Sequence, residues 1–268
     1  HGQSKEALLC FKRMQREGIS PDSVTFMCIL KACGNVQDVH KGKEIHDEII
    51  GKGLLRKDVM LGNCLIDMYA KCGVLEKAEQ VLKELPMQNV VSWSALISGY
   101  VLHGHDKEAL TCYGRMKSCG LSPNSVTFIS LLKACAKTMA ITIGVQIHSE
   151  ITQKGFVRSN IVLGTTLIDM YVKCGELCKA QQVLYKLPYR DTVSWNTIIA
   201  GFAEQGQYEE ALDCFDKMQG EGISPDAKTF GCILKACGII GSIEKGDEIH
   251  DEIFEKGFVP KDIVLGTA

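Results

Sequence analysis

The stretch from Thr192 to Asp226, TVSWNTIIAGFAEQGQYEEALDCFDKMQGEGISPD, is one unit of a pattern that recurs through the chain. A near-copy, with Trp93 in place of Trp195, lies 102 residues earlier at 90–124, and a truncated copy opens the chain. Three copies at one spacing predict a repeat protein, because self-similarity at a fixed period is the sequence mark of repeat architectures. The length of 268 residues then sets no domain count, since each unit contacts only its neighbours.

Two helical stripes of apolar residues lie within this unit. The first stripe, spaced i, i+3, i+4 and i+7, consists of Trp195, Ile198, Ile199 and Phe202, and the second consists of Tyr208, Ala211, Leu212, Phe215 and Met218. Gly206 predicts a turn between the two helices, and Pro225 ends the second one. Neither helix buries its stripe alone, so such hairpins are expected to stack into an α-solenoid, whose handedness the residues themselves leave open.

Unit lengths of 36, 31 and 35 residues alternate when the same helix pair is followed along the chain. The first kind of unit carries TF at 25–26 and LKAC at 30–33, and both recur 102 and 204 residues later. The second kind carries LIDMYAKCG at 65–73, matched by LIDMYVKCG at 167–175. The spacing of 102 residues therefore contains three kinds of hairpin.

These lengths, their order and these signatures resemble the plant PLS subclass of the pentatricopeptide repeat (PPR) family, in which P, long L and short S repeats alternate. The resemblance covers essentially the whole chain and implies an all-α fold, a right-handed α-solenoid of stacked helical hairpins. We divide this single solenoid, residues 1–268, into a partial P repeat at 1–22, L repeats at 23–58, 125–160 and 227–262, S repeats at 59–89 and 161–191 with an S stub at 263–268, and P repeats at 90–124 and 192–226. A tetratricopeptide array has a period of about 34 residues and no reason to alternate between three lengths.

Composition narrows the classes of partner. The chain has 30 Lys and Arg against 32 Asp and Glu, which argues against a uniformly basic nucleic-acid coat and a polybasic membrane patch but leaves a local basic groove open. No uninterrupted apolar run approaches the roughly 18 residues of a membrane span. Because the pattern is already under way at His1 and stops midway at Ala268, we expect a fragment whose targeting segment lies elsewhere. The resemblance implies an organellar location, mitochondrion or chloroplast.

Most of the thirteen cysteines follow the repeat period. Cys33, Cys135 and Cys237 share one position of the first kind of unit, and Cys28 and Cys232 share another. Cysteines with this regularity are predicted to be small buried hydrophobic residues with reduced thiols, which indicates a reducing compartment.

A histidine followed two residues later by glutamate occurs three times, at His46, His148 and His250. This is half of the zinc-deaminase signature, whose other half, P-C-x-x-C, is missing from the sequence. Because the motif recurs at the repeat period, we interpret these histidines as structural and expect no metal, no cofactor and no catalytic residue in this chain. Whether the full-length protein carries a C-terminal deaminase domain stays open.

Two positions vary while the frame of each unit stays constant. They are the fifth and the last residue, which in the S and P repeats form the polar pairs Asn63 with Asn89, Ser94 with Asn124, Thr165 with Asp191, and Asn196 with Asp226. An Asp carboxylate only accepts and suits the ring N–H of uracil or guanine, whereas an Asn amide satisfies the ring acceptor of cytosine or adenine. The recognition code of the family implies C (tolerating U), A, G and U for these pairs, and so a single-stranded RNA site C/U-A-x-G-U.

The L repeats depart from this code, since Met27, Ile129 and Gly231 offer no side-chain hydrogen bond at the fifth position. We leave their bases unspecified, with packing or partner contact as the interpretation. The resemblance also implies apolar side chains that flank the bases, namely Met60, Val91, Val162 and Val193, with Lys228 breaking the series. The recurring lysines Lys31, Lys71, Lys133, Lys173 and Lys235 either contact phosphates or are ordinary solvated lysines.

The function we expect is sequence-specific binding of single-stranded RNA, about one base per repeat. The resemblance implies a role in choosing sites for organellar RNA processing, most often C-to-U editing. The alternative is a protein-interaction scaffold, because the L repeats of PLS proteins resemble contact surfaces for multiple organellar RNA editing factor proteins. A thiol or zinc enzyme is the hypothesis that the sequence supports least.

Overall fold

The computed structural model describes residues 2–257, without the side chain of Arg158, and every regular element in that range is an α-helix. The helices group into two compact units, His1–Ala134 and Cys135–Ala268. The S stub at 263–268 and the last residues of the L repeat at 227–262 lie outside the described part of the chain.

The first compact unit contains helices in pairs joined by short turns. It comprises α1 (Gly2–Arg16), α2 (Ser23–Val36), α3 (Val39–Gly51), α4 (Val59–Lys71), α5 (Leu75–Glu84), α6 (Val90–Leu102), α7 (Asp106–Ser118) and most of α8 (Ser125–Thr138). Helix α4 packs against its pair partner α5 and against the first helices of both neighbouring pairs, α2 and α6. The first helices therefore lie side by side in one layer.

The second compact unit repeats this arrangement. It comprises α9 (Ile141–Gln153), the short α10 (Phe156–Ser159), α11 (Ile161–Lys173), α12 (Leu177–Lys186), α13 (Thr192–Glu204), α14 (Tyr208–Gly220), α15 (Ala227–Ile240) and α16 (Ile243–Glu255). Helix α13 packs against α14 and against the first helices α11 and α15. Helices α2, α4, α6, α8, α11, α13 and α15 start at the residues with which our predicted repeats start.

The apolar stripes form the core. Trp195 and Ile198 on α13 and Phe215 and Met218 on α14 are all buried, whereas Leu212 is only half-buried. The turn between α13 and α14 has Gly206 in the left-handed region, with φ of 76°. The corresponding turn after α2 has Gln37 there instead, with φ of 58°, and its backbone N–H donates to the last carbonyls of the helix.

The recurring histidines have a structural role in two of their three occurrences. The Nδ1 atom of His46 lies 2.9 Å from the Tyr69 hydroxyl, and that of His148 lies 2.8 Å from the Tyr171 hydroxyl. His250 differs, because it is exposed and its nearest charged neighbour is Asp251 at 3.6 Å. Within residues 2–257, no three His, Cys, Asp or Glu side chains come together as a metal site.

Burial makes the stability of this fold depend on pH. It lowers the pKa of His46 from its ordinary value of 6.5, an effect that nearby Lys77 reinforces and Asp47 and Glu84 oppose. Burial lowers the pKa of His148 in the same direction. Below about pH 6.5 these histidines are protonated more readily in the unfolded chain than in the folded one. Their contribution to the free energy of unfolding is therefore fully present above about pH 6.5 and is lost as the pH falls towards the folded pKa.

We therefore expect the urea midpoint of unfolding, followed by helical circular dichroism, to be lower at about pH 5.5 than at about pH 7.5. A double variant, His46→Gln with His148→Gln, should show a smaller difference between the two midpoints. An equal pH dependence in the variant and the parent would contradict this origin of the acid sensitivity.

The cysteines are only partly as predicted. Cys33, Cys135 and Cys237 are buried, and burial raises the pKa of the Cys33 and Cys135 thiols to about 12. Cys28 is exposed and Cys232 half-buried, so the prediction of burial is wrong for this pair. Each directly follows the fifth residue of an L repeat, and Cys28 is part of the lining of a surface groove. All thirteen thiols are free, including the pair Cys174 and Cys178.

No helix among the described residues is both long enough and apolar enough to cross a bilayer.

Candidate nucleic-acid interface

The last residue of each predicted repeat caps the helix that follows it. The side-chain oxygen accepts a backbone N–H of the first turn in every described case: Asp22 from Thr25, Asp58 from Met60 and Leu61, Asn89 from Ser92, Asn124 from Thr127, Asn160 from Leu163, Asp191 from Ser194, and Asp226 from Thr229. This capping role was not among the sequence-based predictions. Its signal is present in the sequence, because Asp or Asn directly before an apolar stripe is typical of a helix N-terminus.

Capping determines which atom of the side chain faces outwards. In all seven residues Oδ1 accepts the N–H, so the outer atom is Oδ2 in an aspartate and Nδ2 in an asparagine. The Nδ2 atoms of Asn89 and Asn124 and the Oδ2 atom of Asp191 bind no other group in the described part of the chain. One backbone frame thus presents either a free donor or a free acceptor at the same place.

The two variable residues of the P repeat 192–226 are in direct contact. The Nδ2 atom of Asn196 lies 3.0 Å from both carboxylate oxygens of Asp226, and the Asn196 Oδ1 atom accepts from the Thr229 hydroxyl at 2.5 Å. Burial on its own would raise the pKa of Asp226, but hydrogen bonds from the Thr229 backbone N–H and the Asn196 amide outweigh burial and lower that pKa. Asp226 is therefore ionised at neutral pH and only accepts hydrogen bonds.

In the P repeat 90–124 the fifth residue, Ser94, is connected to the last residue, Asn124, through Thr127. Ser94, only 6% exposed, donates to the Val90 carbonyl at 2.6 Å and lies 2.5 Å from the Thr127 hydroxyl. The Thr127 hydroxyl in turn lies 2.9 Å from the Asn124 Oδ1 atom. Hydroxyl contacts therefore connect the fifth residue to the last one.

The S repeats lack this connection. Among the described residues, Asn63 makes no hydrogen bond to Asn89, and its shielded Oδ1 atom has no partner. Thr165 and Asp191 make no hydrogen bond to each other in the described structure either, and the Asp191 carboxylate is bonded only to the Ser194 backbone. The pairs proposed from the sequence are thus in contact, directly or through a hydroxyl, in the P repeats but not in the S repeats.

A groove of about 600 Å³ runs over the layer of first helices in the first compact unit. It brings together residues from four successive predicted repeats, and its lining includes Met27, Lys31, Asn63, Val91, Ser94, Asn124 and Val126. Five of the twelve lining residues are predicted base-recognising, base-flanking or phosphate-contacting residues. The groove is the width of several repeats, which suits an extended ligand better than a compact one.

An exposed apolar side chain stands at the second position of the repeats. The predicted flanking residues Met60, Val91, Val162 and Val193 are between 56% and 63% exposed. Val24 and Val126 of the L repeats are exposed to the same degree, at 60% and 56%, and had not been selected. An exposed aliphatic or methionine side chain beside the variable residues can flank a base by van der Waals contact.

The five lysines fall into two groups. Lys31, Lys133 and Lys235 are exposed and have no carboxylate partner among the described residues. Lys71 and Lys173 instead form ion pairs one helical turn away, with Asp67 at 2.7 Å and Asp169 at 3.0 Å. Their charge is partly neutralised, so the first group is the better candidate for phosphate contacts.

Comparison with known proteins settles the family. Models of the PPR repeat family match residues 88–137 and 190–238, a model of the pentatricopeptide repeat domain matches residues 1–36, and a model of the PPR repeat matches residues 63–90 and 228–258. Together these matches cover more than half of the chain. The chain belongs to the pentatricopeptide repeat family.

Relatives of this PPR chain come from Arabidopsis thaliana. A chloroplastic PPR-containing protein is 41% identical over 89% of the chain and 38% of its own length, and a mitochondrial one is 36% identical over 93% of the chain and 24% of its own length. A putative PPR-containing protein is 36% identical over 98% of the chain and 47% of its own length. The chain thus spans less than half of each of these relatives.

Solved structures confirm the predicted α-solenoid. The crystal structure of the PPR protein PPR10 in complex with an 18-nt psaJ RNA element superimposes with a TM-score of 0.76 at 22% identity, covering 98% of this chain and 39% of that one. The crystal structure of PPR10 from maize superimposes with a TM-score of 0.64 at 21% identity, covering 98% and 38%. At this identity the likeness establishes the fold.

Proposed function

We propose that this chain binds single-stranded RNA and reads one base with each S and P repeat. The observation that carries the proposal is the outer atom of the capping residues, an acceptor in Asp and a donor in Asn, held in one orientation by the helix it caps. PPR10, which has the same fold, was crystallised with an 18-nt RNA element. The exposed Val91 and the unpaired Lys31, both in the lining of the groove, support the same ligand.

Base preferences follow from the outer atoms. Asn89 and Asn124 present an amide N–H and suit the ring acceptors of cytosine and adenine, whereas Asp191 and Asp226 present a carboxylate oxygen and suit the ring N–H of guanine and uracil. The fifth residue then divides purine from pyrimidine by size, with the small Ser94 facing the larger base. The proposed site is C/U-A-x-G-U, read 5′ to 3′ along the chain by analogy with the family.

The finer role that we propose is selection of sites for RNA processing in an organelle, C-to-U editing above all, in a protein whose PPR repeats follow the PLS pattern. Support for the location comes from relatives named chloroplastic or mitochondrial. In this proposal the chain supplies recognition, and the chemistry of editing belongs to a domain or partner outside it.

The direct test is selection of RNA from a random single-stranded pool by the purified chain. We expect the enriched sequences to share the C/U-A-x-G-U spacing and the chain to bind them better than DNA of the same sequence. Enrichment of unrelated sequences, or equal binding of DNA, would show the proposed recognition to be wrong.

We expect the two groups of lysines to contribute differently to the salt dependence of RNA binding. Replacing Lys31 by Gln should reduce the slope of log Kd against log salt concentration by about 0.7, the value for one phosphate contact in a single strand. Lys71→Gln is the matched control, because its ammonium group is 2.7 Å from Asp67 and should contribute less. RNA titrations at several salt concentrations measure both slopes. Identical slopes for the two variants would show that Lys31 does not contact a phosphate.

A second candidate function is binding of editing-factor proteins through the L repeats. It is favoured by the apolar fifth residues Met27 and Ile129, which are half-exposed, next to the exposed Val24 and Val126. Substituting Ile129, which is not part of the lining of the groove, by serine should weaken binding of such a partner while leaving RNA selection unchanged. A loss of RNA selection in that variant would assign Ile129 to the RNA surface instead.

A further inference from the structure

The third residue of the L repeats lies where the two variable residues of the preceding P repeat meet. In the second compact unit the Thr229 hydroxyl accepts the Asp226 backbone N–H at 3.1 Å and lies 2.5 Å from the Asn196 Oδ1 atom and 3.0 Å from the Asp226 Oδ1 atom. In the first compact unit the Thr127 hydroxyl lies 2.5 Å from Ser94 Oγ and 2.9 Å from Asn124 Oδ1. The same contact thus occurs independently in both units.

A hydroxyl has one proton to donate, and its position decides how the Asn196 amide is oriented. The shortest contact of the Thr229 hydroxyl is with Asn196 Oδ1, so that oxygen faces Thr229 and the Nδ2 atom must face Asp226. Asp226 Oδ1 already accepts the Thr229 backbone N–H, which leaves Oδ2, bonded only to Asn196, as the oxygen with capacity for a base. The carboxylate is therefore held from both sides.

The S repeats show what happens when the third residue differs. Ser92 and Ser194 stand at the equivalent place in the next repeat, but each donates its hydroxyl to the backbone carbonyl of the capping residue, at 2.8 Å in both cases. Within the described residues neither serine reaches the fifth residue, and the Asn63 Oδ1 atom is left without a donor. The connection therefore depends on the third residue of the following repeat and not on the fifth residue alone.

We propose that Thr127 and Thr229 are specificity-determining positioning residues, each of which orients the fifth residue of the preceding P repeat and so fixes the outer atom of the last residue towards the base. This inference rests on the proposed RNA binding. It extends the reading unit of a P repeat from two residues to three, and the third residue is supplied by the next repeat. The S repeats, without the contact, discriminate bases less sharply in this scheme.

The test uses a single-stranded RNA containing CAAGU and the same RNA with its U changed to C. We expect the parent chain to prefer U, and Thr229→Val to reduce the ratio of the two affinities about tenfold, within the range for one base contact. Thr229→Ser should lower the ratio as well, because a serine at this place donates to the backbone carbonyl of the capping residue and does not reach the fifth residue, as Ser92 and Ser194 show.

The control for lost helix capping is Thr25→Val. Thr25 has the same place in the first L repeat, where its backbone N–H and hydroxyl donate to Asp22 at 2.8 and 2.6 Å, and the partial P repeat 1–22 supplies no fifth residue for it to contact. Its loss should cost similar stability in urea and leave the U-to-C ratio unchanged. An unchanged ratio in Thr229→Val, or an equal fall in Thr25→Val, would overturn the inference.

A second variant guards against a folding defect in the first. Thr127→Val should reduce discrimination of A against G at the second base of CAAGU, about tenfold again. Retained discrimination in a folded Thr127→Val protein would overturn the inference for both P repeats. If the parent chain itself fails to distinguish U from C, the proposed base reading fails before any substitution is made, and the inference fails with it.

Discussion

Asp226→Asn is expected to change the base preferred by the P repeat 192–226 from U to C. The substituted side chain keeps an Oδ1 atom to accept the Thr229 N–H, so the start of α15 stays capped. Its outer atom becomes a donor in place of a carboxylate oxygen, and a donor suits the ring acceptor of cytosine. We expect the change to amount to about 1–3 kcal/mol of discrimination, measured by competition between RNAs that differ only at this base.

Asp58→Asn provides the matched control for this substitution. Asp58 also caps a helix with its Oδ1 atom, that of α4, but it closes an L repeat whose fifth residue, Met27, offers no side-chain hydrogen bond. We expect no U-to-C change at any base in that variant. Asp58→Asn should lose no more than a few tenths of a kcal/mol of stability, because Asp and Asn are about equally good caps. Asp226→Asn should lose more, because its Nδ2 atom replaces the oxygen that accepts from the Asn196 Nδ2 atom at 3.0 Å. If Asp226→Asn still prefers U, Asp226 does not take part in base recognition.

Gly99→Ala is expected to destabilise the fold by about 1–3 kcal/mol through overpacking. A Cβ atom at this position of α6 would lie 2.5 Å from the Ala70 Cβ atom and 3.1 Å from the Ala70 Cα atom of α4. Because the obstacle includes backbone, no side-chain rotation relieves it, and the two first helices must separate. The urea midpoint of unfolding, with the slope unchanged, measures the loss.

Gly114→Ala should have the opposite sign. Gly114 lies on α7 with nothing within 4 Å of a Cβ atom, so the substitution only removes the cost of glycine in a helix and should stabilise by about 0.5–1 kcal/mol. The two changes are chemically identical and differ only in what the new methyl group meets. Equal stability of the two variants would mean that α4 and α6 do not pack as closely as the structure shows.

The sequence predicted the helices well because each repeat contains local signals of where its helices lie. A stripe of apolar residues and a turn glycine such as Gly206 are local signals, and they agree with the stacked structure. The turn after α2 was less predictable, since Gln37 takes a left-handed conformation that glycine usually fills. The exposure of Cys28 was missed for a related reason, because periodicity places a residue on a face without saying what covers that face.

The sequence indicated which positions form the candidate site, but not which of their side chains are hydrogen-bonded to each other. Asn63 and Asn196 are the same residue at the same place in their repeats, yet only Asn196 is hydrogen-bonded to the last residue of its repeat. The difference arises from a residue on the next first helix, which no inspection of a single repeat includes. The pairing of Lys71 with Asp67 was more accessible, since an Asp four residues before a Lys on a helix is an ion-pair signal.

The double role of the capping residues has a consequence for how such a protein diverges. Exchange of Asp for Asn alters the hydrogen-bonding character of the outer atom while the helix start remains intact, so a mutation of this kind escapes selection against unfolding. If these residues read bases as proposed, a lineage can drift to a new RNA target by single-base steps without passing through a poorly folded ancestor. The same property makes the last residue of a repeat a safe place to begin when the chain is retargeted by design.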